Sequence, residues 1–403
     1  MKTPKNIMKN KKMFRFSPQA EKLKGEAAYT VLARVQELEK MGKKIIHLEI
    51  GQPDFDTPKI ICDEAIKAIK EGKTKYTAPL GIFELRSAVA NYLSKKRGVK
   101  ISPQMVGIMP SAKIALYLAM TALLKPGDEV IYPDPGFPTY VNIAEFLGCE
   151  PKPVPLVEKN NFNFDLDVFS SLLSSKTKLI ILNSPNNPTG SVIPQKNLKI
   201  ISDLIKKYNC WVLSDEIYSE LLYDKCKYPS IYSIKGMPER TLLVHGFSKT
   251  YSMTGWRLGY LIFPKKFELV VDNLSVNSFA CAADFTQYAG IMAINKAEKP
   301  AQKMVQEFEK RRNFIVSALN EIPGISCQMP KGAFYVFPNI KSFGLNSQKM
   351  ADYLLDKAGV ALLPGTAFGK YGEGYLRVSY ANSIENIAKA ISKIKEALKK
   401  LRS

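Results

Sequence analysis

Short apolar runs alternate with helical patterns from residue 60 to residue 265, and this alternation is what most restricts the fold. The runs cover 106–109, 129–133, 179–183, 211–214, 242–245 and 258–263. Strands covered on both faces read as unbroken apolar stretches, and such strands interleaved with helices form a largely parallel α/β sheet. Ahead of the first run, Ile61, Ala65, Ile66 and Ile69 recur at helical spacing. Residues 87–93 and 111–124 are also expected to be helical, the second closed by Pro126-Gly127-Asp128.

The last hundred residues read differently. A charged helix is expected over 301–319 and isolated strands over 334–337 and 375–379. A final amphipathic helix carries Ile384, Ile387, Ile391, Ile394, Leu398 and Leu401 at 3–4 spacing. This pattern suits a smaller α+β domain, with a helix over 29–41 packing on it. The expected division is a large domain over 51–295, a discontinuous small domain from 13–50 and 296–403, and a basic mobile tail over 1–12.

Composition narrows the function. The 403 residues include 58 Lys+Arg against 37 Asp+Glu, a net charge of +21. The lysines are spread evenly, and no helix-turn-helix, zinc-finger or aromatic-basic segment accompanies them, so they read as a solvated surface and not a nucleic-acid site. Two histidines, His47 and His245, and six cysteines without a CxxC pair give no metal site and suggest a reduced, cytoplasmic protein. No stretch has the length of a membrane span, and residues 13–16 make no signal-peptide core.

Several runs end in residues suited to chemistry. The run 242–245 leads to Ser248-Lys249, with Arg257 eight residues further on. A lysine at a strand end loses hydration, its pKa drops, and its amine can attack an aldehyde cofactor. Arg257 could then fork onto a phosphate. Taken alone, a loop lysine is usually a solvated charge. The run 211–214 leads to Asp215 and Tyr218. A carboxylate there points into the crevice where α/β sheets bind ligands and could keep a pyridine nitrogen protonated, or it could simply cap a helix. Tyr218 could donate to a phenolate oxygen, or be an ordinary part-buried tyrosine. Asn183-Ser-Pro-Asn-Asn187-Pro-Thr-Gly190 is either a turn or a polar strand end aimed at the same crevice. Pro110-Ser111-Ala112-Lys113 opens a helix whose free N–H groups suit a phosphate, or is a plain serine cap.

In this order, these segments resemble the class I aminotransferases of the aspartate aminotransferase superfamily, pyridoxal-phosphate enzymes of fold type I. The likeness runs from about Ala28 to Leu401 and rests on nine motifs. They are Gly51-Gln-Pro-Asp-Phe-Asp-Thr-Pro58, Tyr76-Thr-Ala-Pro-Leu-Gly81, Leu85-Arg86, Pro126-Gly-Asp128, Asn187-Pro-Thr-Gly190, Asp215-Glu-Ile-Tyr218, Ser248-Lys249, Gly255-Trp-Arg257 and Tyr375-Leu-Arg377. The resemblance implies a large domain with a mostly parallel seven-stranded sheet, and a homodimer acting on an α-amino acid and a 2-oxo acid in amino-acid metabolism. It implies that Lys249 holds the cofactor aldehyde and moves the Cα proton. Asp215 would partner the pyridine nitrogen, and Tyr218 and Asn187 the phenolic oxygen. Arg257, Ser248 and the Ser111, Ala112 and Lys113 loop would take the phosphate, with Tyr76 reaching the neighbouring subunit's phosphate. Phe137 would stack on the ring. Arg377 would grip the substrate α-carboxylate, with Asn187 and Gly51 beside it.

This sequence departs from the family pattern in three places. Pro110-Ser111 stands where glycine is frequent, Phe137 where Trp or Tyr is frequent, and 275–284 lacks the usual Ser/Thr-rich character. The last departure bears on side-chain preference. Aspartate with 2-oxoglutarate is one candidate pair. A C–S β-lyase or an aminocyclopropane-carboxylate synthase-like enzyme shares the same cofactor residues and is the alternative. A DNA-contacting regulator would need a module before the domain, and only about 28 residues precede it.

Overall fold

The computed structural model describes residues 17–402, so the expected tail over 1–12 lies outside the described residues. In chain order the strands are β1 (Ile46–His47), β2 (Val106–Met109), β3 (Glu129–Asp134), β4 (Glu150–Val157), β5 (Asn163–Phe164), β6 (Thr177–Asn183), β7 (Trp211–Asp215), β8 (Thr241–Gly246), β9 (Gly259–Ile262), β10 (Tyr335–Val336), β11 (Val360–Ala361), β12 (Leu363–Pro364) and β13 (Leu376–Ser379). Eight of them form one sheet in the order β2-β9-β8-β7-β6-β3-β4-β5. Strands β4, β3, β6, β7 and β8 run parallel, and β9 is antiparallel to both its neighbours. Seven strands are expected from the resemblance; the eighth, β5, is a two-residue strand pairing antiparallel with the end of β4.

The β6, β7, β8 and β9 runs are buried along almost their whole length, as their unbroken apolar sequence requires. Strand β4 carries no such signal, because Pro151, Pro153 and Pro155 interrupt it. Glu150 N–H donates to Asp128 O toward β3. By the period of two, the prolines then turn their missing N–H groups to the other side, where β5 pairs only with the last two residues. The prolines therefore cost no ladder bond and blunt an edge.

The helix Ala112–Leu123 starts directly after β2, and the Ser111 side chain accepts from Ile114 N at its first turn. Gly259 lets β9 approach this helix start, since a Cβ there would stand 2.4 Å from Ala112 N. Elsewhere, β1 pairs with β11, and β10-β13-β12 form an antiparallel sheet. The final helix Ile384–Arg402 buries Ile387, Ala390, Ile391, Ile394 and Leu398 in a cluster with Phe308, Leu319, Met350 and Leu354. The N-terminal helix Ala27–Lys40 packs Val35 against Leu355 and Ala361. This helix thus lies against the last hundred residues.

Candidate active site

The carboxyl ends of β6, β7 and β8 lie side by side, and each delivers polar residues to one crevice. From β8, Gly246 leads into the one-turn helix Phe247–Thr250, which carries Lys249. Lys249 Nζ donates to Gly51 O at 2.5 Å. Burial, then the positive charges of Arg377, Arg257 and Lys113, push its amine down to about 8, with Asp215 opposing. Half the amine is then neutral near pH 8, the form that attacks a carbonyl.

From β7 comes Asp215, fully enclosed. Its Oδ2 accepts from Tyr140 Oη at 2.7 Å and its Oδ1 from Ile217 N at 3.2 Å. Burial raises its carboxyl to about 6 against the pull of these two donors. Tyr218 follows on the same turn and meets Tyr335 Oη at 2.8 Å. From β6 comes the turn 183–190, where Asn183 Oδ1 accepts from Asn187 N at 2.9 Å. Asn187 Oδ1 accepts from Arg377 Nη1 at 3.3 Å.

Arg377 lies on β13, 4% exposed, with its guanidinium 4.5 Å from the Tyr335 ring and 4.9 Å from the Phe368 ring. Its Nη2 donates to Glu49 O, while its Nε makes no hydrogen bond. A buried guanidinium N–H left open is an invitation to an anion. Gly51 closes this wall: a Cβ there would fall 2.2 Å from Tyr335 Oη. Ser111 and Ala112 stand at a helix N-terminus, where open N–H groups suit a phosphate. Ser248 is buried beside Lys249. Arg257 has its Nη1 on Thr254 O at 2.7 Å, and its charge reaches Lys249. Phe137 packs edge-on to Tyr140 at 5.8 Å. The Lys113 side chain turns away from its backbone to pair with Glu26 and lies 5.4 Å from the Phe137 ring.

The structure thus gathers Gly51, Asn187, Asp215, Tyr218, Lys249 and Arg377, with Ser248 beside Lys249, and brings the Lys113 and Arg257 charges within reach. Tyr76 is not brought in; it stands 90% exposed. Three contributors escaped the sequence reading. Tyr140 lies in the first turn of the helix Thr139–Phe146, three residues after Phe137 in the loop before it, a closeness in sequence that could have flagged it. Tyr335 is the one hydroxyl in the apolar run 334–337. Glu26 carries no signal, being one acidic residue before a helix. Among the described residues no cluster of His, Cys, Asp or Glu suits a metal ion.

The family model for aminotransferases of class I and II matches residues 43–394. The aspartate aminotransferase of Pyrococcus horikoshii is 43% identical over 372 residues, 91% of this chain and 94% of that protein. The aromatic-amino-acid aminotransferase 2 of Thermococcus litoralis is 39% identical over 88% of this chain and 92% of its own length. The structure of the Thermus thermophilus aspartate aminotransferase with maleate superposes with a TM-score of 0.91 at 33% identity, over 96% of this chain and 100% of that one.

Proposed function

The chain belongs to the class I and II aminotransferases, pyridoxal-phosphate enzymes of fold type I, and we propose that it moves the amino group of an acidic α-amino acid to a 2-oxo acid, aspartate with 2-oxoglutarate being the first pair to test. The names of the Pyrococcus relative and of the Thermus structure, the latter holding the dicarboxylate maleate, support that choice of pair. The crevice fits the cofactor's chemistry: a buried amine for its aldehyde, a buried carboxylate for its ring nitrogen and open helix N–H groups for its phosphate. Bound pyridoxal phosphate supplies an aldehyde that takes up amines and a ring that draws electrons from Cα.

In this reading Lys249 Nζ would hold the cofactor through its aldehyde and, once the substrate amine displaces it there, would be the free amine placed to move the Cα proton. Asp215 keeps the ring nitrogen protonated, and Tyr140 orients Asp215. Tyr218 and Asn187 take the phenolic oxygen. Phe137 covers the ring. The N–H groups of Ser111, Ala112 and Lys113, with Ser248 and Arg257, hold the phosphate. Arg377 binds the substrate α-carboxylate beside Asn187 and Gly51, and its planar fork suits two oxygens at once.

One observation carries this assignment: a buried amine near pKa 8 shares its crevice with a buried guanidinium whose Nε is open. The test is a single half-turn. Cofactor-loaded enzyme given aspartate and no oxo acid should release about one oxaloacetate per site and stop, then resume when 2-oxoglutarate is added. Continuous ammonia release without acceptor would overturn the assignment. A donor screen with 2-oxoglutarate then ranks aspartate against aromatic and small amino acids.

The same proposal includes a cytoplasmic two-fold homodimer in which Tyr76 serves the partner's site. It also divides the chain into a large domain over 51–295 and a small domain from 13–50 and 296–403. Six free cysteines support a reducing compartment. Among the described residues no helix is long and apolar enough to cross a membrane.

A further inference from the structure

One residue beyond Asp215 lies a second buried charge cluster that the assigned roles leave unused. Glu216 is fully buried, and its carboxylate takes four donors. Its Oε2 accepts from Arg97 Nε at 2.9 Å and pairs with Arg97 Nη2 at 2.7 Å. Its Oε1 accepts from Ser214 Oγ at 3.0 Å and Ser230 Oγ at 2.5 Å. Arg97 ends the helix Phe83–Arg97, is 6% exposed, and lies 4.7 Å from the Tyr228 ring.

The cluster reaches all three strand ends of the crevice. Arg97 Nη2 donates to Ser219 Oγ at 3.0 Å, and Ser219 Oγ meets His245 Nε2 at 3.0 Å. His245 Nδ1 lies 2.7 Å from Gly246 N and 3.1 Å from Gly246 O, so both ring nitrogens are engaged, one by Ser219 and the other by the Gly246 backbone. Burial holds this imidazole down at about 4, and it stays neutral at working pH. Its ring stacks on Tyr260 at 5.3 Å. Tyr228 Oη donates to Ser184 O at 3.0 Å. The network therefore ties Ser184 after β6, Glu216 and Ser219 after β7, and His245 at the end of β8. These are the segments that present Asn187, Asp215 with Tyr218, and Lys249.

Stability alone gives little reason for such a cluster. Replacing a buried ion pair by apolar side chains of similar volume is often neutral or stabilising. Geometry gives a better reason. Asp215 and Lys249 are assigned to opposite ends of one rigid aromatic ring, so the gap between the two strand ends must match the ring closely. We propose that the Arg97–Glu216 pair, with Ser219 and His245, is the positioning device that holds the turns leaving the β7 and β8 ends, beyond the backbone ladder that joins the two strands, and with them the fit of Asp215 and Lys249 to the cofactor, without touching the cofactor itself. This rests on the assignment of Asp215 and Lys249 made above.

The test uses two variants of the full chain. Arg97→Met with Glu216→Leu removes both charges together, and Ser219→Ala cuts the link to His245 while leaving the ion pair whole. Three quantities are measured: melting of the cofactor-free chain, affinity for added pyridoxal phosphate, and the pH midpoint of the loaded enzyme's visible absorbance. The double variant should melt close to wild type, bind pyridoxal phosphate roughly tenfold or more weakly, and show a displaced midpoint. Ser219→Ala should displace affinity and midpoint in the same direction by less. Unchanged affinity and midpoint in both variants would overturn the proposal, whatever the melting temperatures. If the double variant does not fold, Ser219→Ala decides alone. Failure of the underlying assignment looks different: wild-type chain would then develop no visible band with pyridoxal phosphate, or Lys249→Ala would keep it.

Discussion

At the residue scale, the Lys249 amine links structure to reactivity most directly. Its ordinary value of 10.5 falls to about 8, through burial first and the neighbouring Arg377, Arg257 and Lys113 charges second. The sign follows from proton counting. Between pH 8 and 10.5 the unfolded chain holds a proton here that the folded chain does not, so this residue's contribution to the stability of the cofactor-free chain rises with pH across that window. Below pH 8 the buried ammonium is a standing cost. The rate at which cofactor-free enzyme develops the visible band with pyridoxal phosphate should therefore climb with pH through about 8 and then level off. Lys249→Ala should show neither the band nor transamination, and a flat pH profile in wild type would contradict the assigned role. Asp215 was legible in the sequence because it follows the apolar run 211–214 directly, whereas Lys249 and Asn187 stand four residues past their runs and were marked by the motifs of the resemblance. Tyr140 and Tyr335 were not. Each is an aromatic in an apolar setting, and only tertiary contact distinguishes a packing tyrosine from one whose hydroxyl grips Asp215 or Tyr218.

At the scale of elements, the end of β3 is clasped to the loop before β13. Asp134 Oδ2 accepts from Lys370 N at 3.2 Å and Oδ1 from Tyr371 N at 3.1 Å, while Gly136 N donates to Phe368 O at 2.8 Å. Phe368 in turn lies against the Arg377 guanidinium, so this clasp supports the substrate end of the crevice. Burial lifts the Asp134 carboxyl to about 6 despite the two N–H donors and the Lys370 charge. The folded chain thus holds a proton between pH 3.8 and 6 that the unfolded chain has lost. Its favourable contribution is complete below 3.8 and disappears as pH rises through 6. Asp134→Asn cannot titrate. The stability of wild type relative to this variant should therefore decline by roughly 1–3 kcal/mol between pH 4 and pH 7, read from denaturant melts of the cofactor-free chains. A difference that stays constant across that range would remove Asp134 from the account. The sequence identified β3 but not this clasp, and it hid β4 altogether. Alternating prolines argue against a strand unless their faces are known to lie off the paired side, which is a property of the sheet and not of the segment.

At the scale of the whole molecule, the alternation of apolar runs and helices was enough to foretell the sheet, because a strand covered on both faces has little choice of residues. It could not foretell which surface stays open. Eight of the large exposed apolar side chains fall in two stretches: Ile60, Ile66, Ile69, Tyr76 and Phe83 in one, Leu269, Val270 and Val276 in the other. We take these side chains to belong to the surface that the proposed assembly covers, since burying them there removes apolar area from water. Their occupant in the proposed assembly is a second copy of the chain, related by a two-fold axis so that each Tyr76 reaches the other site. Phe83 is 61% exposed and Leu269 70%, so changing both to Asp should leave the fold of one subunit intact. Each would put a charge where about 1.5–3 kcal/mol of apolar burial is expected in the dimer. Sedimentation should find wild type as a dimer and Phe83→Asp with Leu269→Asp as a monomer at the same concentration. The monomer should lose transamination and bind pyridoxal phosphate weakly, since it lacks the partner's Tyr76. Tyr76→Phe in the intact dimer should weaken cofactor binding in the same direction but less. A fully active monomer would separate Tyr76 from the phosphate and leave the exposed side chains as a surface without that role.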